Sequence, residues 1–421
     1  MSGLSGSALS QRRRRSLIAR RSEVLSHCSR QIFIVTLVLL ALGLAALFSA
    51  STGSLAADTT FPYSVILRQL LFVAIGVSLM LLTWFVVLPR LSAQAVKLLL
   101  ALALLVNLLL LVGVFLPPFG VAVAGAHRWI RVSGLQFQPA EFLKLTLILF
   151  IAATLVPPGS RLLLTTQRSD GRYSTVRRGG FRPAGAIALV LLSVILTAAQ
   201  PDLGTSALLL AGSFAVLALA GVSVRTLLKL LLGLILIAAL GFVVAPGKYH
   251  YAAQRLLTML HPSRDVSGSG FQITQSLVGI SQGGLFGRGY MQSQQKVARL
   301  PLADRDFIFA VWVEEMGLVG GALVMALFLY LLLLCWRAAM ALPFGFESVS
   351  VFSLGFVLTL QALVNIATNV GVLPVSGLTL PFFSSGGSSL MVSLLMVAVI
   401  LGLLRRALSG AALARSTAAG S

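Results

Sequence analysis

The chain has 421 residues, of which 57% are hydrophobic and only 10% are charged, and its mean hydropathy is +0.97. A soluble domain carries roughly a quarter charged residues, so this composition excludes an ordinary soluble fold and indicates a membrane protein. The net charge is +21. Because the basic residues lie mostly between apolar runs, they indicate membrane orientation, and we expect no nucleic-acid partner.

The chain opens with a basic segment, residues 1–30, that we expect to be cytoplasmic and disordered. The first apolar run extends from Gln31 to Ala50. Arginines 12–15 in front of it are typical of a signal peptide, but the run is longer than a usual signal-peptide core and the segment before it is long. We therefore interpret the run as an uncleaved first membrane span.

Nine further apolar runs follow, each close to the roughly 20 residues that a helix needs to cross the hydrocarbon core. The ten predicted spans are 31–50, 69–88, 96–116, 139–156, 184–200, 203–221, 227–245, 306–336, 349–372 and 387–404. The fold class is thus an all-α polytopic membrane protein with ten transmembrane helices over residues 31–408. We expect the tail, 409–421, to be cytoplasmic and disordered.

The basic residues between the spans predict the orientation. They collect in alternate connections, at Arg90, 161–182, Arg225 and Arg337. The connections 51–66 and 373–386, which would face the other side, contain none. By the positive-inside rule, both termini are cytoplasmic, and the long segment 246–305 between spans seven and eight is extracytoplasmic.

This long outer loop, 246–305, is itself basic, which the positive-inside rule tolerates in a long loop. Its bases are Lys248, Arg255, Arg264, Arg288, Lys296, Arg299 and Arg305. Such a surface suits an anionic ligand such as a lipid phosphate, or simple contact with anionic membrane lipid. Apolar periodicity predicts a helix from Phe271 to Ser281, and the glycines after it favour a functional loop over a disordered one.

Ionisable residues near the membrane are scarce, so each suggests a function. Glu141 and Lys144 share a face of span four at i and i+3, where they form either an ion pair that orients two helices or part of a site. In the outer connection before that span, Trp129 suits either the aromatic belt of the interface or a lid over a sugar. Arg128 beside it is a candidate phosphate contact.

Other carboxylates fit structural roles. Asp202 and Asp306 stand at the starts of spans six and eight, where an aspartate can cap free N–H groups and complement the helix dipole. Glu314 and Glu315 lie inside span eight, and their role is open between packing and a polar cavity.

Asp265 lies in a glycine- and serine-rich stretch, beside Arg264 and with no apparent helix to cap. A carboxylate on an outer loop amid cations suits a general base that removes a proton from a hydroxyl group. The alternative is an exposed ion pair with Arg264.

Six motifs in order resemble the shape, elongation, division and sporulation family, whose members polymerise peptidoglycan. They are GAHRW at 125–129 with QPAEFLK at 138–144, QPDLGT at 200–205, the stretch 265–276, DFIFA with EE at 306–315, and LTLPF with the serines and glycines at 378–389. Each motif alone is weak, but together they cover roughly residues 30–405. The stretches 294–301 and 377–381 resemble the division branch more than the elongation branch.

The resemblance implies an inverting peptidoglycan glycosyltransferase that joins lipid II units outside the cytoplasmic membrane, at the division septum. Asp265 would take the proton from the GlcNAc 4-hydroxyl of the acceptor, whose oxygen attacks the anomeric carbon of the donor as undecaprenyl diphosphate leaves. The implied partners are a class B penicillin-binding protein, which crosslinks the strands, and other membrane proteins of the division complex.

The expected substrate contacts are Arg128, Trp129, Glu141, Lys144, Lys248, Arg255, Ser384 and Gly386. We expect Arg128, Lys248 and Arg255 to lie beside the diphosphate. A divalent cation, Mg²⁺ or Mn²⁺, could assist them, but the four scattered histidines offer no metal-ligand spacing, and no cofactor is certain.

The chain departs from the family pattern at several positions. It has Asp304-Arg305 in place of histidine-threonine, Ser376 in place of lysine or threonine, Ser385 in place of tyrosine, and Val266 in place of proline. Two other functions therefore stay open: a lipid II flippase with a path lined by Glu141, Lys144 and the glutamates of span eight, and a non-catalytic division scaffold.

Overall fold

The structure is a computed structural model that describes residues 3–53, 64–116, 120–123, 126–132, 135–156, 158, 166–167, 173–174, 183–244, 255, 257–259, 265, 268–297 and 300–419. Within this part of the chain, six helices are long and apolar enough to cross a membrane by length and composition. They are Ala19–Thr52, Val65–Arg90, Ala93–Gly113, Ile308–Ala341, Phe346–Asn369 and Gly387–Gly410. Pro183–Ala199 and Leu203–Leu219 are apolar but shorter.

Each of the ten predicted spans coincides with a helix. The helices are α1 (Gly3–Gly53), α2 (Ser64–Leu82), α3 (Leu88–Arg90), α4 (Ala93–Gly113), α5 (Pro139–Leu155), α6 (Pro183–Ala199), α7 (Leu203–Leu219), α8 (Val224–Val244), α9 (Ser269–Gly283), α10 (Ile308–Ala341), α11 (Phe346–Asn369) and α12 (Gly387–Ala419). A π-helical turn, Thr83–Val87, joins α2 to α3. Helix α9 contains the helix predicted at 271–281, which is confirmed.

Both terminal helices are longer than expected. Helix α1 continues from the first apolar run back to Gly3. The sequence has no glycine or proline between Gly6 and Gly43, so a helix nucleated by the apolar run can propagate through the basic segment. Helix α12 likewise continues beyond the predicted span to Ala419.

The chain is not purely α-helical. Between α4 and α5 it forms an antiparallel meander of β1 (Gly120–Val123), β2 (Ala126–Val132) and β3 (Leu135–Phe137), and the short strands β4 (Thr166–Gln167) and β5 (Tyr173–Ser174) pair after α5. Strand β2 is rich in aromatic and branched residues, which favour strands, and Gly125 and Gly134 flank it in the sequence. The meander brings β2 against α5.

The bundle is centred on α10, which packs against α1, α9 and α11, while α12 packs against α1, α2 and α11. Small residues allow the close crossings that membrane helices use. A Cβ atom at Gly355 would lie 2.6 Å from the Cys335 sulfur, and one at Gly212 would meet Ile148 and Val357. These glycines therefore set the distances between α10 and α11 and between α7 and its neighbours.

Glu314 and Glu315 belong to the packing of the bundle. They are 0% and 1% exposed. Glu314 accepts hydrogen bonds from the Ser293 hydroxyl at 2.5 Å and the Gln294 backbone N–H at 2.8 Å. Glu315 forms an ion pair with Lys296 at 2.9 Å. The two glutamates thus hold the segment after α9 against α10, and neither lines the cavity described next.

Candidate functional site

A cavity of about 730 Å³ lies where α2, the β-meander, the starts of α5 and α12, and four connecting segments meet. Its walls are Val65, Arg68, Gln69, Phe72, Arg128, Trp129, Gln136, Gln138, Glu141, Pro201, Arg255, Leu302, Asp304, Arg305, Asp306, Gly377, Thr379, Ser385, Gly386, Gly387, Ser388 and Ser389. Of the predicted substrate contacts, the structure brings Arg128, Trp129, Glu141, Arg255 and Gly386 to this one space. Lys248 lies outside the described residues.

Guanidinium groups form one side of the cavity, contributed by Arg68, Arg128, Arg255 and Arg305. Arg128 is held by backbone carbonyls, because its Nε donates to Gln200 O at 3.0 Å and its Nη2 donates to Pro201 O. Arg255 Nη1 donates to Val375 O at 2.6 Å. Four guanidinium groups against the two carboxylates of Asp304 and Asp306 leave this side of the cavity with more positive than negative side chains, which suits an anion.

Asp306 adds a carboxylate to the cationic side. Burial raises its pKa from 3.8 to about 6, which outweighs the opposing effect of Arg305, Arg255 and Arg128, while Asp304 raises the pKa further. The predicted cap of span eight is wrong, because α10 begins at Ile308 and has no side-chain cap. Instead, the Asp306 carbonyl accepts hydrogen bonds from two asparagines of α11.

Hydroxyl and amide groups also line the cavity. The Gln138 backbone N–H donates to Ser388 Oγ at 3.2 Å, and Gln138 Nε2 donates to Asp202 Oδ2 at 3.0 Å. Asp202 Oδ1 accepts from the Thr205 N–H at 3.2 Å, so its predicted role as the cap of α7 is confirmed. Hydroxyl and amide side chains of this kind, such as those of Gln138 and Ser388, suit the hydroxyl groups of a sugar.

Glu141 and Lys144 form a buried ion pair at 2.7 Å, as the i, i+3 spacing allows. Lys144 is 1% exposed and does not line the cavity, so it lies behind the wall rather than in direct reach of a ligand. Its Nζ also donates to Gln361 Oε1 at 2.6 Å, and Gln361 Nε2 donates to Thr379 O at 3.0 Å. The pair therefore connects the cavity wall to α11 through buried polar groups.

Asp265 caps a helix, contrary to expectation. Its Oδ1 accepts from the Gly268 N–H at 2.8 Å, and its Oδ2 accepts from the Gly270 N–H at 3.1 Å and the Ser269 hydroxyl at 3.4 Å. The helix begins at Ser269, two residues before the predicted start, which is why the capping pattern was missed. Asp265 is not among the residues that line the cavity, whereas Arg255 of the same loop is.

Of the two neighbouring serines after α11, one has a structural role and the other lines the cavity. Ser384, a predicted substrate contact, is buried: its hydroxyl donates to Arg305 O at 2.6 Å and accepts from the Leu380 N–H at 2.8 Å. It thus fixes the loop rather than lining the cavity. The neighbouring Ser385 does line it and donates to Asp304 Oδ2 at 2.5 Å. Two departures from the family pattern are therefore in contact with each other.

Sequence reasoning missed Arg68, Arg305, Gln69 and Gln138 as cavity residues. Arg68 carried a signal, because it is a base at the outer edge of a span whose preceding connection, 51–66, has none. As for a metal, no group of three or more His, Cys, Asp or Glu side chains comes together in the part of the chain that the structure describes.

Fold and cavity together define a helical integral membrane protein with a site that combines guanidinium and hydroxyl groups. Residues 29–408 match the family described as cell cycle protein, which groups FtsW, RodA and SpoVE. The chain therefore belongs to this family, which is the one indicated by the six motifs.

Individual relatives support the same family assignment. The chain is 36% identical over 376 residues to stage V sporulation protein E of Bacillus subtilis, covering 89% of this chain and 96% of that protein. It is 35% identical over 376 residues to a protein of Coxiella burnetii named probable peptidoglycan glycosyltransferase FtsW, covering 88% and 94%. A solved structure described as structural coordination of polymerization and crosslinking by a peptidoglycan synthase complex superposes with a TM-score of 0.66 at 31% identity, covering 89% and 97%.

Proposed function

We propose that this chain is a peptidoglycan glycosyltransferase that polymerises lipid II into glycan strands at the outer face of the cytoplasmic membrane during cell division. The observation that carries the proposal is the cavity of about 730 Å³, which is lined by both guanidinium groups and hydroxyl and amide groups. A lipid-linked sugar diphosphate needs both surfaces, one for its phosphates and one for its sugars. The name of the Coxiella burnetii relative supports the same reaction.

In the proposed reaction, Asp265 is the general base. It removes the proton from the GlcNAc 4-hydroxyl of the acceptor, and that oxygen attacks the anomeric carbon of the donor MurNAc from the side opposite the diphosphate. The new glycosidic bond forms as the bond to the phosphate oxygen breaks, so the anomeric centre inverts and the proton stays on Asp265. Hydrogen bonds from the start of α9 support the base by orienting its carboxylate.

Arg128 and Arg255 would stabilise the negative charge that develops on the leaving undecaprenyl diphosphate. Both reach the cavity, and Arg128 is held by neutral carbonyl partners. Lys248 remains a proposed third contact. Trp129 would cover a sugar, and Gly386 would allow close approach of the substrate to the backbone of the loop before α12.

The proposed topology has ten membrane spans, cytoplasmic termini and the 246–305 loop outside, with the protein at the septum. Ten helices at the predicted positions and the asymmetry of the basic residues support it. The topology places Arg255 and Asp265 on the side to which lipid II is exported.

The proposed partner is a class B penicillin-binding protein, which would crosslink the strands that this chain makes, together with other membrane proteins of the division complex. The solved structure with a TM-score of 0.66 belongs, by its description, to a complex that coordinates polymerization with crosslinking, which supports this pairing.

A flippase is the second candidate function, because one observation favours it. Glu141 and Lys144 place an ion pair, 5% and 1% exposed, inside the helical bundle. Charges at such depth are costly and often mark a transport path. The two functions differ in product: a flippase moves lipid II across a vesicle membrane, whereas a polymerase lengthens glycan strands.

The deciding experiment measures glycan synthesis from lipid II by the chain co-purified with its penicillin-binding partner. Asp265→Asn keeps the size of the side chain but cannot accept the proton, so polymerisation should fall by at least about 100-fold, the lower end for a positioned base. Asp202→Asn is the matched control, because Asp202 also caps a helix and asparagine caps about as well as aspartate.

Near-normal synthesis by Asp265→Asn would refute the assignment of the base and make Glu141 the next candidate. If the wild-type chain moves lipid II across vesicles without making glycan in the presence of the partner, the flippase function holds instead.

A further inference from the structure

The turn formed by residues 284–290, directly after α9, presents two large apolar side chains outward. Leu285 is 62% exposed, and Phe286 is 83% exposed, the highest value for a large hydrophobic side chain in the described part of the chain. A soluble surface rarely exposes such a pair side by side, so the turn points to an apolar partner.

The turn is held rigidly by a break in α10. Gly317 has φ +72° within the helix and interrupts its hydrogen-bond ladder. The freed amide of Leu318 donates to Gly284 O at 2.9 Å, and that of Val319 donates to Leu285 O at 3.2 Å. The turn therefore supplies the acceptors that the helix lacks, and Phe286 is fixed in place beside α10.

The carbonyls on the other side of the break are used in the same way. Glu314 O accepts from the Arg288 N–H at 3.0 Å, and Glu315 O accepts from the Gly289 N–H at 3.1 Å. Gly287 has φ +82° and lies directly against the backbone of Glu315, where a side chain would not fit. The turn thus covers the step in α10, behind which the two glutamate side chains are buried.

The position of the break along α10 places the turn at one boundary of the hydrocarbon. Twenty residues separate Gly317 from Arg337, an exposed base near the other end of the helix. At 1.5 Å per residue this stretch is about 30 Å long, the thickness of the hydrocarbon core. Trp336 beside Arg337 is 48% exposed, as expected of an interfacial aromatic residue.

The apolar surface of the turn continues onto α10. Leu318, Val319 and Leu323 are 50%, 57% and 51% exposed on a helix long and apolar enough to cross a membrane. Leu318 and Val319 are the residues whose amides hold the turn. The side chains of Leu285 and Phe286 therefore extend an apolar face of this helix at the level where it begins to cross the hydrocarbon.

We propose that the 284–290 turn is a membrane anchor, with Leu285 and Phe286 inserted into the acyl region of the adjacent lipid leaflet. Because the turn follows α9 directly and the buried glutamates bind the segment after it, the anchor fixes the depth of the whole segment from α9 to Lys296 relative to the bilayer. The partner is the lipid itself, and the proposal does not depend on the glycosyltransferase function.

Site-directed spin labelling of the full chain in nanodiscs of phosphatidylethanolamine and phosphatidylglycerol tests this proposal. Cys28 and Cys335 are buried, so Phe286→Cys can be labelled selectively. Leu323→Cys on the exposed face of α10 serves as the lipid reference, and Arg131→Cys on the exposed side of β2 serves as the water reference. Faster relaxation of the spin label by oxygen indicates that the label is in lipid, and faster relaxation by a polar nickel chelate indicates that it is in water.

The label at 286 should resemble that at 323, with a ratio of oxygen to nickel accessibility at least about tenfold above that at 131, because hydrocarbon excludes the polar chelate. A ratio at 286 equal to that at 131 would place the turn in water and overturn the proposal. Shielding from both reagents would also overturn it, since that result indicates a second copy of the chain as the occupant.

Discussion

The Asp265 carboxylate occupies the space that a side chain at position 268 would need. Gly268 donates its N–H to Asp265 Oδ1 at 2.8 Å, and a Cβ atom on Gly268 would lie 2.6 Å from Asp265 Oδ2. Gly268→Ala should therefore displace the carboxylate while keeping its chemistry. Because a shift of about 1 Å in a catalytic group can cost about 100-fold, we expect kcat for glycan synthesis to fall by about 10- to 100-fold with little change in KM.

Gly233→Ala is the matched control for this substitution. A Cβ atom at Gly233 meets nothing within 4 Å, and alanine favours the helix, so this variant should keep full activity and stability. Equal activity of Gly268→Ala and the wild type would show that the position of the carboxylate in this structure is not the one used for catalysis.

The cationic side of the cavity should bind the diphosphate of lipid II. Arg128→Gln removes a guanidinium that two carbonyls hold in place. Charge-assisted hydrogen bonds contribute about 1.5–3 kcal/mol, so affinity for lipid II should fall by about tenfold or more, most clearly at low salt. Binding to labelled lipid II in micelles measures the change.

Arg131 gives the comparison, since it lies on the same strand but is exposed and does not line the cavity. Arg131→Gln should bind lipid II as the wild type does. An equal loss of affinity in both variants would mean that general surface charge, not the cavity, attracts the ligand.

The positions of the helices could be predicted from hydropathy because apolar runs of span length have few other solutions in a membrane. The ends of the helices could not. Helix α1 extends N-terminally beyond the first apolar run, where Leu25 and Cys28 continue its buried face with Ile32, a short pattern that the surrounding basic residues obscure in the sequence. The meander around Arg128 was missed because strands of three to seven residues give a weak pattern between long apolar runs.

Most of the correctly predicted site residues lie in motifs; Arg255 is the exception, predicted from the basic character of the outer loop. Arg128, Trp129, Glu141 and Gly386 lie in motifs and line the cavity. Arg305 lines it as well, but its contribution depends on how the loop before α10 approaches the meander, which no local pattern encodes. For Lys144, the i, i+3 spacing correctly predicted the ion pair with Glu141. The sequence did not predict that Lys144 lies behind the cavity wall, out of direct reach of a ligand.

The ion pair of Glu141 and Lys144 should be needed for stability. Lys144→Met leaves the 5% exposed Glu141 without its cation, and an uncompensated buried charge costs about 3–5 kcal/mol. We expect a loss of that size in the free energy of unfolding, measured by denaturant titration in micelles. Glu141→Gln combined with Lys144→Met should recover more than half of the loss, because no buried charge remains. Additive losses would contradict a coupled pair.

The carboxyl group of Asp306 should make the stability of the protein depend on pH. Folding raises its pKa from 3.8 to about 6, so the folded state binds the proton more tightly than the unfolded state. The free energy of unfolding should therefore be highest below about pH 4, fall as pH rises towards about 6, and stay constant above that. The full change is about 3 kcal/mol at 1.36 kcal/mol per pKa unit.

Asp306→Asn isolates this contribution, because asparagine has nearly the same shape and does not ionise. The melting temperature of the variant minus that of the wild type should rise between about pH 4.5 and pH 7, as the wild type loses the proton from a buried site. Asp304→Asn provides the comparison, because it removes a neighbouring charge that raises the pKa of Asp306. In this variant the fall in stability with rising pH should remain but should occur at lower pH than in the wild type. If the melting temperatures of the wild type and Asp306→Asn change with pH in parallel, Asp306 keeps the same pKa on folding. Its carboxylate would then have to be hydrated within the cavity.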